Sequence, residues 1–189
     1  MPRVMVRLDD VVCFDPEDIT GSGDEFYVIG AVSDGAQTEG VTTVPIQVKA
    51  GETEPFGVGG GVVFDKNVPS DRVLKVALTA FDEDAAKDWN KQSQIVDEIA
   101  TAVAGGLAAI PNPYTAGAAV MLPFVVKIAG GIISLDKDDN LGSYTLDLPV
   151  WALRAGDNPQ QWQFSGEWGG GFLGFSRWSY ALRYTVSVL

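Results

Sequence analysis

The chain has 189 residues, 25 of them acidic and 13 basic, for a formal net charge of −12, with one cysteine and no histidine. This excludes Ser-His-Asp and Cys-His catalysis, His-ligated metals, an internal disulfide and an iron–sulfur cluster. The acid excess argues against a nucleic-acid partner, which needs a basic footprint, and leaves oxygen-rich sites for hard cations.

A hydrophobic content of 46% with 20% charged residues describes a folding chain, and the length suits one domain over residues 1–189. The N-terminal run MPRVMVRLDDVVCF lacks the charged and apolar regions of a secretory leader. The expectation is a cytoplasmic or non-classically exported protein, peripheral on a membrane at most.

Residues 1–84 read as short strands. Val4, Val6 and Leu8 alternate with Arg3, Met5 and Arg7. Phe26, Val28, Gly30 and Val32 alternate with Tyr27, Ile29, Ala31 and Ser33. Further strands are expected at 44–48 and 73–81, the latter with Leu74, Val76, Leu78 and Ala80 on one face. Gly- and Asp-rich turns separate these runs, which is the texture of an antiparallel sandwich.

Residues 85–135 change period. Ile95, Val96, Ile99, Val103, Leu107 and Ile110 recur at helical spacing, 111–113 (Pro-Asn-Pro) break the pattern, and a second apolar run covers 116–135. The expectation is a helical hairpin inserted into the sandwich. Strands resume after 141: Tyr144, Leu146 and Leu148 alternate, and Trp178, Tyr180, Leu182, Tyr184, Val186 and Val188 share a face. The fold class is therefore mainly β, an antiparallel sandwich with an inserted α-helical hairpin.

The acids gather in three places, each beside an expected strand: Asp15 to Glu25, Asp82 to Asp84, and Asp136 to Asp139. Carboxylates crowded at one sandwich edge repel unless neutralised, and Ca²⁺, taking roughly six to eight oxygens, is a natural counter-charge. Solvated acidic turns are the plainer alternative, since Asp favours turns. No EF-hand frame is present: the run at 136–142 lacks the length and the closing Glu.

Four stretches together resemble the C-two domain, the calcium-dependent lipid-binding sandwich of protein kinase C and synaptotagmin. DITGSGDEFYV at 18–28 is similar to that family's first loop and following strand. LKVALTAFDED at 74–84 is similar to the strand ending in Asp-x-Asp that opens its third loop. DNLGSYTLDL at 139–148 is similar to the close of that loop, and the alternating C-terminal strand to the family's last. The resemblance implies calcium ligation by Asp18, Asp24, Asp82, Asp84 and Asp139, with backbone carbonyls completing the shell. It also implies a phospholipid surface as partner. The chain departs from the pattern where Glu25 replaces a Pro and where residues 85–135 lengthen the third loop. It also has no Lys-rich strand, because Lys49, Lys66 and Lys75 are scattered.

In that family the third loop dips toward the bilayer. Here it carries the most apolar segment, so Ile110, Tyr114, Met121 and Phe124 are the residues expected to meet lipid. Residues 116–135 approach the ~20 needed to span hydrocarbon, and Gly105-Gly106 and Gly130-Gly131 would let helices approach closely. Against insertion, Lys127 would lie inside the span and Pro123 would kink it. A hairpin packed on the sandwich accounts for the same pattern.

The function expected is calcium binding with calcium-dependent membrane association, without catalytic residues. A carboxylate pair such as Asp82 and Asp84 at a strand end is poorly placed for glycosidic acid–base work. One alternative is a pore-forming or toxin-like protein whose hairpin inserts. Another is a calcium-dependent carbohydrate-binding module using Trp151, Trp162, Trp168 and Trp178, residues that core filling would equally explain.

Overall fold

A computed structural model describes residues 1–17, 23–57, 61–82, 92–133, 139–171 and 174–189. Among these, ten strands form two antiparallel sheets. In the first, β1 (Arg3–Asp15) pairs along its length with the last strand, β10 (Gly174–Val188), which in turn pairs with β9 (Gly156–Gly171). The other edge of β1 is shared by β5 (Thr53–Pro55) and β6 (Gly61–Asn67). In the second sheet β2 (Asp24–Ser33) pairs with β7 (Val73–Asp82), and β7 with β8 (Asp139–Pro149). The other edge of β2 carries β3 (Thr38–Thr42) and β4 (Ile46–Val48).

The expected alternations fill the space between the sheets. Val4, Val6 and Leu8 face Phe26, Val28 and Val32, with Leu74, Val76, Leu78, Tyr180, Leu182 and Tyr184 in the same core. The inward parity of β1 changes from even to odd residues after Leu8, because a bulge at Asp9 shifts the register before Val11 and Cys13. The strand expected at 44–48 starts at Ile46. Pro45 has no N–H to give a ladder, and Val44 is exposed. Strand β9 is not among the expected elements. Its Trp162 and Phe164 alternate with Gln161, Gln163 and Ser165, a weak period-two signal on an edge strand that tolerates Pro159. The glycines at 169–171 close this strand.

Between β7 and β8 the described residues form two helices, α1 (Gln92–Ala108) and α2 (Leu122–Ile133), joined through a short 3-10 turn at Ala118–Val120. The apolar run 116–135 is therefore not one helix: α2 has 12 residues, and Pro123 stands in its first turn, where its missing N–H costs nothing. The helices cover the outer face of the second sheet. Ile99, Val103, Leu107, Met121, Val125 and Ala129 pack on Tyr27, Ile29, Ala31, Ala77 and Phe81, a second core separate from the first. This explains why β2 and β7 are apolar at nearly every position: both of their faces are buried.

Close approach of the helix layer is enforced at Gly40 and Gly106. A Cβ on Gly40 of β3 would stand 2.1 Å from Val96 O of α1, and one on Gly106 would stand 2.3 Å from the Phe124 ring of α2. Gly105 and Gly130 meet nothing within 4 Å, so of Gly105, Gly106 and Gly130 it is Gly106 that serves helix packing; the surroundings of Gly131 lie outside what is described. Among the described residues no helix is long and apolar enough to cross a membrane.

Candidate metal centre

The antiparallel register brings the acidic strand ends together. In the second sheet Phe26 stands opposite Asp82, and Asp82 opposite Asp139. Asp24 lies two residues before Phe26 at the same end, opposite Val48. The start of β2, the end of β7 and the start of β8 therefore coincide, as alternation of chain direction requires. Asp24 is 0% exposed and Asp82 3%.

Both carboxylates are held by specific donors. Asp24 Oδ2 accepts from the Glu17 backbone N–H at 2.6 Å and from the Tyr180 hydroxyl. Asp82 Oδ1 accepts from the Glu25 N–H at 2.8 Å. The Tyr180 bond crosses from one sheet to the other, so Asp24 is tied to the main core. Burial, reinforced by that bond and the charge of Asp24, drives the Tyr180 phenol far above its ordinary range. Cys13, opposite Tyr180 on β1, is buried too; burial pushes its thiol up to about 11, against a partly offsetting hydrogen bond with Tyr180. Spacing gives no sign that Tyr180 and Cys13 belong to this end of the molecule.

Of the five expected ligands, Asp24, Asp82 and Asp139 are brought to one end of the second sheet by strand register, Asp24 and Asp82 with buried side chains. Asp18 and Asp84 lie outside the described residues. Among the described residues no group of three or more His, Cys, Asp or Glu side chains comes together to hold a metal. The buried groups at this end are carboxylate oxygens oriented by N–H and O–H groups, a donor type that suits a hard cation such as Ca²⁺ and not a thiophilic one.

The residues expected to meet lipid are spread through the helix layer. Met121 is fully buried, and Ile110 and Phe124 pack against the same cluster. Tyr114 is 39% exposed, with the Arg72 guanidinium 3.4 Å from its ring centroid. The apolar faces are turned toward the sheet because Tyr27, Ile29 and Phe81 offer an apolar surface there. Of the tryptophans, Trp162 and Trp178 fill the main core, and the Trp178 Nε1–H donates to Leu141 O at 2.8 Å. Trp151 is 62% exposed, and the Trp168 side chain lies outside what is described.

No family model matches the chain, and no curated protein matches its sequence. Among solved structures it is similar to the first C-two domain (domain A) of plant extended synaptotagmin 1, at 10% identity and a TM-score of 0.39, over 99% of this chain and 93% of that one. It is also similar to human GIVD cytosolic phospholipase A2, at 11% identity and a TM-score of 0.43, over 99% of this chain and 16% of that one. The same phospholipase with methyl gamma-linolenyl fluorophosphonate and terbium chloride gives 10% identity and a TM-score of 0.41, over 99% of this chain and 17% of that one. A likeness of this order assigns no residue a role.

Proposed function

We propose that the chain is a non-enzymatic calcium-binding sandwich module of the C-two type. In this reading Ca²⁺ neutralises the acidic strand ends and favours docking to a phospholipid surface. The observation that carries it is the strand register bringing Asp24, Asp82 and Asp139 to one end of the second sheet. Asp18 and Asp84, adjoining these strand ends in sequence, are the further carboxylates the reading calls on. A divalent cation bound there removes repulsion between carboxylates that folding has drawn together. In this reading the acidic end with its bound cation, and not the helix layer, faces the lipid.

Titration of calcium against thermal stability tests the site. Binding to the folded state alone should stabilise the protein by about 2.7 kcal/mol at a hundredfold excess over Kd. Asp82→Asn, which keeps an oxygen to accept from the Glu25 N–H, should remove most of that gain. No shift at millimolar calcium, or an undiminished shift in Asp82→Asn, overturns the proposal.

A further inference from the structure

The end of the second sheet opposite the acidic residues holds a different polar group. Ser33, Lys75 and Asp147 are consecutive cross-strand partners on β2, β7 and β8, in one row. Lys75 lies seven residues from Asp82 along β7, about 23 Å at the rise of an extended strand. Its side chain is completely buried. The Nζ donates to Val73 O at 3.3 Å and to Tyr114 O at 3.2 Å, and among the described residues no carboxylate lies within 4 Å of it.

Tyr114 belongs to the connection between α1 and α2, and that connection is held by polar contacts. Arg72 covers the Tyr114 ring, and the Ala118 N–H donates to Asp147 Oδ1 at 2.8 Å. Gly35, at φ +89°, passes so close that a Cβ would stand 3.0 Å from Tyr114 Cδ1 and Pro113 O. Around the same segment, two buried atoms meet no hydrogen-bonding partner among the described residues: Asp34 Oδ2 and Arg72 Nε. Buried polar groups left in this state are costly, and water admitted beside them would satisfy them. Nothing comparable favours opening in the middle of the layer, where Val103 and Val125 are buried among apolar side chains.

We propose that residues 113–118 form a polar latch, the point from which the helix layer opens off the sheet, and that the buried Lys75 amine beneath Tyr114 sets how readily it opens. Desolvation is the largest influence on that amine and lowers its pKa, outweighing the attraction of Asp147 and Asp34, with Arg72 acting in the same direction as burial. The charge is thus a net burden on the closed state. Opening here bares the ends of the apolar layer at Leu107, Met121 and Ala77, remote from the acidic strand ends. The inference does not depend on calcium.

Residue-resolved hydrogen exchange tests it without calcium. The hydrogen-bonded amides of Ala118 and Met121 should exchange about a hundredfold faster than those of Val103 and Ala129, in the manner of a local opening. Lys75→Met, which removes the buried charge at similar length, should slow exchange at Ala118 and Met121 about tenfold and leave Val103 unchanged. Lys75→Gln, which keeps a donor for Tyr114 O without the charge, reads the same effect if the methionine variant does not fold. Slower exchange supports the latch. Unchanged or faster exchange in the folded variant overturns it, because the amine would then be a bystander or a clamp.

Discussion

The Tyr180 hydroxyl on the last strand donates to Asp24 Oδ2 on the second strand, so one hydrogen bond joins the two sheets at the acidic end of the sandwich. Both residues are fully buried. The same oxygen accepts the Glu17 N–H, which fixes the path by which the chain leaves β1. The buried Asp24 carboxylate is therefore tied both to the last strand and to the residues that follow β1.

Tyr180→Phe removes this donor while keeping the ring that packs on Phe26 and Phe164. A buried hydrogen bond to a charged group contributes about 1.5–3 kcal/mol, and a loss of that size is expected in urea unfolding. A loss under about 0.5 kcal/mol would mean that the bond adds nothing measurable to stability.

The helix layer makes a second prediction. Met121 is fully buried between α2 and the sheet, so Met121→Ala should cost about 2–5 kcal/mol through lost burial and the cavity left behind. Chemical unfolding measures it. A helix pair detached from the sheet in solution would show almost no effect.

Adjacent glycines of α1 should respond with opposite signs. Gly105 meets nothing within 4 Å, so Gly105→Ala should gain about 0.5–1 kcal/mol from helix propensity alone. At Gly106 the added methyl would strike the Phe124 ring at 2.3 Å, and overpacking of that kind costs about 1–3 kcal/mol. Thermal unfolding of the two variants side by side checks both signs.

Alkaline pH should act on two buried groups in opposite directions. The Cys13 thiol is raised from 9.0 to about 11, by burial foremost, with the charges of Asp24, Asp15 and Glu52 adding to it. The unfolded chain then loses this proton first, and stability falls as pH climbs from 9 toward 11, by at most about 2.7 kcal/mol. Lys75 is lowered from 10.5 by burial, among Asp147, Asp34 and Arg72. Here the folded chain loses its proton first, and stability rises as pH approaches 10.5 from below. Urea midpoints between pH 8 and 10 should therefore fall less steeply in Cys13→Ala and more steeply in Lys75→Met. Parallel curves for the wild type and both variants would refute the assignment.

The strands that carry the main core are legible in the sequence because burial on one face leaves a period of two. That holds for Val4 to Leu8, for Leu74 to Ala80 and for Trp178 to Val186. Strand β9 escapes notice because its outward residues, Gln161, Gln163 and Ser165, are weakly patterned and its edge accommodates Pro159. The start of the strand expected at 44–48 is misplaced because hydrophobicity says nothing of Pro45's missing N–H. In the candidate site, the converging positions of Asp24 and Asp82 are legible from their places at strand ends. The hydrogen bonds of Tyr180 with Asp24 and Cys13 are not, because their partners stand more than 150 positions apart.

An acid excess, an absence of histidine and two hydrophobic periods are properties of residue order, and they suffice to exclude whole classes of chemistry and to predict a β-sandwich with helices between its strands. Where the apolar helices turn is not such a property. Ile99, Val103 and Val125 could face lipid or protein with the same periodicity. It is the apolar outer face of β2 and β7, assembled from residues about fifty positions apart in sequence, that gives them protein to cover. The same pairing sends Asp24 and Asp82 to one end of the sheet and Lys75 to the other, because antiparallel strands set the start of one beside the end of the next.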